Sequence, residues 1–364
     1  MFRKHFLQVS IFCLLVAAGL TVACNSSNNR QSQRNSITGA GSTFINPIMT
    51  HWIADFQSSH PGVEINYQSI GSGGGIQQLK NGLVDFGASD AALDDQQLQG
   101  MPALVQIPES AGPVCITYNL PELKSPLKLS SKVIAGIYLG TIKTWQDPAI
   151  KKDNTGVKLP NDPIAVAHRS DGSGTTNIFT TYLAAVSPEW EKKVGKGISV
   201  SWPVGLGGKG SEGVTGVVKQ TPGAIGYVEL SYATQNNLPV ALVENKAAGW
   251  IKPSAESATA AIEAFGPELA KDVRTPVVDP PASAKEAYPI SGLTFLLVPK
   301  QGKDEARELI VKEFVQYIIT QGQNSAQALS YSKLPENLAD QDEKLMAELQ
   351  TGGQQTSSTQ GPSQ

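Results

Sequence analysis

The chain has 364 residues, 40% of them hydrophobic and 17% charged, which is long enough for two ordinary domains and excludes a disordered chain. Its formal net charge is −3, and setting aside Arg3 and Lys4 near the start leaves the remainder more acidic still. No overall field therefore draws it to nucleic acid or to an anionic membrane, and an anionic small ligand would have to be held by local geometry.

The first elements belong to targeting. Arg3, Lys4 and His5 make a positive start, and an apolar run from Ile11 to Ala23 follows that is too short to span a bilayer comfortably. The run ends in "LTVAC". This predicts a signal peptide over residues 1–23 and resembles a bacterial lipoprotein signal, in which Cys24 becomes the lipidated first residue of the mature chain. Thr21 departs from the usual Leu, and the plainer alternative is an ordinary cleaved signal. Residues 24–36 are polar and low in complexity, as a tether would be. Cys13 and Cys24 fall in this region, so the body holds Cys115 alone, which can form no internal disulfide and reads as a small buried hydrophobe.

Residues 45–56 place Ile45, Ile48, Met49, Trp52, Ile53 and Phe56 at helical spacing, and the helix stops before Pro61-Gly62. "VEINYQ" alternates as a strand, "GSGGG" (71–75) breaks it, and a short helix follows around Ile76–Lys80. "LVDFGASD" (83–90) reads as a strand running into a turn. A second region begins near Gly112, where "VCITYNL", "KVIAGIYLG" and "PIAVAHRS" lead into "RSDGSGTTNIF" (169–179) and a helix from about Thr175 to Ala185. "GAIGYVEL" (223–230) is a further strand. "YPISGLTFLLVPK" is another, followed by a helix over about 303–322, and residues 351–364 are low in complexity. Strand, small-residue loop and helix alternate throughout, the pattern of an α/β fold with a largely parallel sheet.

Three small-residue stretches stand in front of helices: "TGAGSTF" with Thr43, "GSGGG" with Ser72, and Ser173-Gly174-Thr175. The first N–H groups of a helix lack internal partners and its N-terminus carries partial positive charge, so three such starts can surround one tetrahedral oxyanion. Each alone reads equally as a plain helix cap. Arg169 adds a guanidinium fork that matches two oxygens of a phosphate-like ion, and Asp171 can hold that fork, although a structural Arg–Asp pair has the same spacing. Asp90 ends "VDFGASD" at the edge where open α/β sheets bind ligands, or else caps the next segment. An acid beside an anion makes sense if the anion carries a proton for the carboxylate to accept.

Other signals are weaker. "GLGGKG" (205–210) satisfies G-x-G-x-x-G without a long βαβ unit to frame it, and no Ser or Thr follows Lys209 to make a P-loop. The four histidines show no metal-ligand spacing, no cofactor motif appears, and no G-x-S-x-G elbow is present. His51 and His60 flank a helix and read as solvated. His168 is the histidine next to the cradle motifs, but it precedes Arg169 in a strand, where neighbouring side chains point oppositely.

Taken in order, "TGAGSTF", "GSGGGI", "VDFGASD", "IYLGTIKTW", "HRSDGSGTTNIFT", "WPVGLGGKG" and "PGAIGYVE" resemble the phosphate-binding proteins of bacterial high-affinity phosphate ABC importers, over roughly residues 36–345. Gly73 stands where relatives often carry a second Ser. The resemblance implies a two-lobed periplasmic binding protein of type II, each lobe a mostly parallel sheet flanked by helices. The chain would cross between lobes near 112 and near 289. That gives a discontinuous lobe I over 37–112 and 289–348, a lobe II over 113–288, and a disordered tail over 349–364. It implies phosphate contacts from Thr43, Phe44 (through its backbone N–H), Ser72 and Asp90 on one side. Arg169, Ser173, Gly174 and Thr175 would come from the other, with Asp171 orienting Arg169. It further implies a non-enzymatic monomer without cofactor or metal. Such a protein sits in the periplasm or on the outer face of the membrane, anchored only by lipid at Cys24, and delivers phosphate to ABC permease subunits served by a cytoplasmic ATPase. The competing expectations are a binding protein for another oxyanion, or a secreted phosphatase-like enzyme using the same cradle.

Overall fold

The structure, a computed structural model, describes residues 35–302 and 304–349. The expected signal peptide, Cys24, the tether up to residue 34 and the tail beyond Leu349 lie outside the described residues. The first part alternates as expected: β1 (Ser36–Gly41), α1 (Asn46–Ser59), β2 (Glu64–Ser69), α2 (Ser72–Lys80) and β3 (Phe86–Ser89). Pro47 fits the first turn of α1, where its missing N–H costs nothing, and Ile48, Met49, Trp52 and Phe56 form the buried stripe. β1 runs parallel to both β2 and β3, and the loops that leave the ends of β1, β2 and β3 all open on the same edge.

Strand β4 (Leu104–Tyr118) changes partners midway. From Leu104 to Pro113 it pairs antiparallel with β11 (Ser291–Pro299), and from Val114 to Tyr118 it pairs with β8 (Ala224–Glu229). One sheet thus runs through the whole molecule in the order β2-β1-β3-β11-β4-β8, continuing to β6 (Ala165–Arg169) and β7 (Leu206–Gly208). β1–β3 with β11 form one lobe, β6–β8 the other, and β4 belongs to both. The second lobe adds α3 (Ser131–Tyr138), α4 (Pro148–Asp153), α5 (Gly174–Val186), α6 (Pro188–Lys193), α7 (Gly210–Gln220) and α8 (Leu230–Gln235). A three-stranded sheet of β5 (Lys128–Leu129), β9 (Leu242–Glu244) and β10 (Trp250–Ile251) flanks it.

Later come α9 (Ala255–Glu263), α10 (Gly266–Leu269), α11 (Glu305–Ile319) and α12 (Glu336–Ala347). Ile262 of α9 and Leu269 of α10 share an apolar cluster with Leu79 of α2 and Leu293, Phe295 and Leu297 of β11. The division expected at 112 and 289 puts α9 and α10 with the second lobe, whereas their apolar faces pack against the first. Cys115 is fully buried and free, its thiol donating to the Val228 carbonyl. His51 is exposed on α1, but His60 is not simply solvated: its ring stacks on Phe56 at 3.9 Å.

Candidate anion-binding site

The loop ends of β1, β3 and β6 meet the starts of α1, α2, α5 and α7 where the two lobes touch. Every predicted contact residue is buried there: Thr43, Phe44, Ser72, Asp90, Arg169, Ser173, Gly174 and Thr175. Local sequence explains the convergence. Gly71 takes φ +85°, a left-handed turn that releases the chain from β2 into α2, and any side chain there would run into Asp171 of the opposite lobe. A Cβ on Gly174 would stand 2.6–2.7 Å from the Asp90 backbone, so only glycine lets the start of α5 reach the end of β3.

The polar atoms bond across the cleft. Ser72 Oγ accepts from the Gly174 N–H at 3.0 Å and from the Asp90 N–H at 3.3 Å. The Gly73 N–H donates to the Gly172 carbonyl at 2.9 Å, so the position without the second Ser still bridges the lobes through its backbone. Thr43 Oγ1 lies 2.9 Å from Ser211 Oγ and accepts from the Ser211 N–H at 3.2 Å. Asp90 receives the Ser42 hydroxyl on one carboxylate oxygen and the Thr175 hydroxyl, at 3.2 Å, on the other. It caps no helix, since the residues after it form turns. Ser173 Oγ does cap α5, accepting from the Thr176 N–H at 3.2 Å, and this leaves its own hydroxyl proton free for another acceptor.

Arg169 is held by its outer edge. Nε and Nη2 donate to the two Asp171 oxygens at 2.8 and 2.6 Å, so Nη1 is the nitrogen that faces Thr175 and Ser211, each 3.5 Å away. Asp171 also accepts the Gly210 N–H at 3.0 Å, tying the arginine to the start of α7. Burial penalises both charges. Even so, the hydrogen bonds and charge of Arg169 hold the Asp171 carboxyl below its ordinary range, and Asp171 raises the guanidinium. Burial pushes the Asp90 carboxyl up to about 6, against the Ser42 hydrogen bond, the Arg169 charge and the Thr175 hydrogen bonds that pull it down. Near neutral pH the site therefore holds one net acceptor, Asp90, among many donors.

Ser42 and Ser211 went unread in the sequence. Ser211 directly follows "GLGGKG" (205–210), and the signal that finds it is a fourth helix start, Gly210-Ser211-Glu212, in front of the α7 stripe Val214 and Val218. His168 faces away from the cradle. Its ring stacks on Trp202 at 4.9 Å and its Nδ1 lies 3.0 Å from the Arg169 carbonyl, so it offers the cleft no general base.

Comparison with known proteins bears on this geometry. A family model described as the PBP superfamily domain matches residues 26–321. The phosphate-binding protein PstS of Xylella fastidiosa strain Temecula1 is 42% identical over 364 residues, covering 95% of this chain and 99% of that one. PstS of Methanocaldococcus jannaschii is 39% identical over 366 residues, covering 93% and 94%. Among solved structures, a high-affinity periplasmic phosphate-binding protein (PfluDING) bound with phosphate superimposes with a TM-score of 0.67 at 22% identity, over 85% of this chain and 93% of that one. A phosphate-binding protein from Stenotrophomonas maltophilia gives 0.63 at 20% identity, over 84% and 92%. At those identities the structural likeness speaks for the two-lobed fold, while the sequence likeness runs along nearly the whole chain. The chain belongs to the PBP superfamily and, within it, to the family of the phosphate-binding proteins PstS.

Proposed function

We propose that this protein captures inorganic phosphate between its two lobes outside the cytoplasmic membrane and hands it to an ABC permease for import, without chemical change to the ligand. The observation that carries this reading is a single buried carboxylate set among donors from both lobes. Ser72, Ser173, Thr43, Thr175, the Gly174 and Phe44 amides and Arg169 Nη1 serve the ligand oxygens, and Asp90 accepts a ligand proton. Phosphate keeps a proton at neutral pH and sulfate does not. A sulfate oxygen would face Asp90 with nothing between them, leaving buried acceptors unpaired at roughly 1–3 kcal/mol. Ser42 and Ser211 support the cradle by holding Asp90 and Thr43.

The contacts from both sides make closure part of binding. Residues 37–112 and 289–348 would move as one lobe, carrying α9 and α10, against the remainder of 113–288. Calorimetric titration of the protein stripped of ligand tests the reading. Tight one-to-one phosphate binding with no sulfate heat at pH 7.5 is expected, and silence with phosphate would overturn it. The protein acts as a monomer held to the membrane by lipid at Cys24. Cys24→Ser is expected to move it from the membrane fraction to the soluble one, and an unchanged membrane fraction would remove the lipid anchor from this account.

A further inference from the structure

Three tyrosine hydroxyls hold three successive carbonyls of the loop that opens α1. Tyr67 donates to Ser42 O at 2.8 Å, Tyr232 to Thr43 O at 2.6 Å and Tyr331 to Phe44 O at 2.6 Å. Two of the three protons are contested by a carboxylate: Tyr232 Oη also lies 2.9 Å from Oε1 of the exposed Glu212, and Tyr331 is the one whose rival is fully buried. Its Oη also lies 3.2 Å from Glu229 Oε2 and 3.2 Å from Ser231 Oγ. Glu229 ends β8 in the second lobe, and Tyr331 stands beside Phe44 in the first, with its ring edge-on to the Phe44 ring. Both residues are fully buried.

A proton count decides how this joint works. A tyrosine hydroxyl has one proton to donate, and an ionised carboxylate only accepts. Glu229 already accepts the Ser231 N–H on Oε1 at 2.7 Å and the Ser231 hydroxyl on Oε2. Were Glu229 charged, it would draw the Tyr331 proton to Oε2 and leave the Phe44 carbonyl, 2.6 Å away, facing a lone pair. With a proton on Oε2, Glu229 donates to Tyr331 Oη and Tyr331 donates to Phe44 O. Every group is then satisfied.

The effect reaches the cradle through one peptide. The Phe44 carbonyl and the Ile45 N–H share a planar trans unit, so fixing one aims the other the opposite way. The Ile45 N–H points at Ser42 Oγ, 3.4 Å away, and Ser42 Oγ donates to Asp90. A directed chain of hydrogen bonds therefore runs Glu229–Tyr331–Phe44 peptide–Ser42–Asp90, each link polarising the next.

We propose that Glu229 and Tyr331 are positioning residues for ligand capture: a proton kept on Glu229 bridges the lobes to Tyr331 and lets Tyr331 latch the Phe44 carbonyl, which aims Ser42 at Asp90. This rests on the phosphate-binding reading above. The surroundings suit a neutral carboxyl. The titratable groups that face Glu229 are the Cys115 thiol on β4, the Tyr232 hydroxyl on α8 and the Tyr331 hydroxyl, and burial raises all three. Among the described residues no Lys, Arg or His pairs with Glu229. Burial pushes its carboxyl up to about 8, against hydrogen bonds from Ser231, Tyr331 and the Tyr232 backbone. Parting the lobes takes Tyr331 away and lets water reach the carboxyl, which lowers its affinity for the proton. Closing therefore takes up a proton between the ordinary carboxyl range and about pH 8, and the latch weakens as pH rises across that window.

The test is calorimetric phosphate titration of the wild type, Glu229→Gln and Tyr331→Phe from pH 6 to 9, in two buffers of different ionisation enthalpy. Near pH 7.5 the wild type should take up more protons per phosphate bound than Glu229→Gln, whose amide supplies the same donor at every pH. Relative to Glu229→Gln, the wild type should lose roughly tenfold or more in affinity between pH 6 and pH 8, with no further divergence up to pH 9. Tyr331→Phe should weaken binding roughly tenfold throughout and erase the difference made by Glu229→Gln, because the two act in series. Equal proton uptake and equal pH profiles for wild type and Glu229→Gln would overturn the proposal. A carboxyl-carbon NMR titration of Glu229 in the protein cross-linked shut between its lobes places the proton independently of any ligand. A midpoint near 8 supports the latch, and one in the ordinary carboxyl range overturns it even where phosphate binds. Absence of phosphate binding by the wild type, with a midpoint near 8, would instead overturn the functional reading and leave the proton on Glu229.

Discussion

Arg169→Ala is expected to weaken phosphate binding by roughly two orders of magnitude, about 2–3 kcal/mol, the value of a charge-assisted hydrogen bond in a buried site. The guanidinium is nearly inaccessible, and Asp171 takes its Nε and Nη2, so Nη1 is the cation delivered to the cleft. Removing it also leaves the Asp171 carboxylate without its counter-charge beside the ligand, where it repels an anion. Arg169→Lys should recover little, because an ammonium cannot engage both Asp171 oxygens and still present a separate donor to Thr175 and Ser211. Calorimetric titration with phosphate reads both variants. An Arg169→Ala protein that keeps wild-type affinity would show that the cradle holds its ligand by neutral donors alone.

Asp90→Asn carries the second large effect, on selectivity. The wild-type carboxyl, pushed up to about 6, is ionised at pH 7.5 and, in the function proposed above, accepts the phosphate proton. The asparagine amide places a donor at the same position, so sulfate should bind while phosphate weakens, shifting their ratio by roughly tenfold to a hundredfold. The sign of the pH dependence follows from the raised pKa. Below about 6 the wild-type carboxyl is neutral and donates, so sulfate should compete at pH 5 and lose that ability as pH rises through 6. In Asp90→Asn, sulfate binding should be flat across the same range. Competition titrations at pH 5 and pH 7.5 check both statements, and a wild type that rejects sulfate equally at both would remove Asp90 as the discriminating group.

The cradle was legible in the sequence wherever its chemistry is local. Ser72 and Ser173-Gly174-Thr175 open helices whose apolar stripes announce them, and Arg169 and Asp171 are two residues apart on one loop. Ser42 and Ser211 were not legible, because their roles depend on which residue of the other lobe they meet: Ser42 on Asp90, Ser211 on Thr43. The tyrosines were hidden for the same reason. Tyr67, Tyr232 and Tyr331 lie far apart in sequence, and no local spacing links them before the fold lines their hydroxyls along three consecutive carbonyls. In the fold, helices α1, α5 and α11 fell close to their periodicity. The partner exchange along β4 did not show, since "GPVCITYNL" is largely apolar and an apolar run does not say which strand lies beside it. The packing of α9 and α10 against the first lobe escaped for a similar reason, since an alanine-rich stripe fits either side.

The last strand has a consequence for how the chain reaches its place of work. β11 lies between β3 and β4, and the first lobe's sheet has a gap until it arrives. Synthesis delivers β11 only after the entire second lobe has been made. The N-terminal third, although first out of the ribosome, cannot complete its core early, since its contacts span most of the chain and non-local pairing is slow. A chain exported in extended form, as the expected signal peptide implies, would benefit from that delay, staying unfolded until its closing strand emerges on the far side.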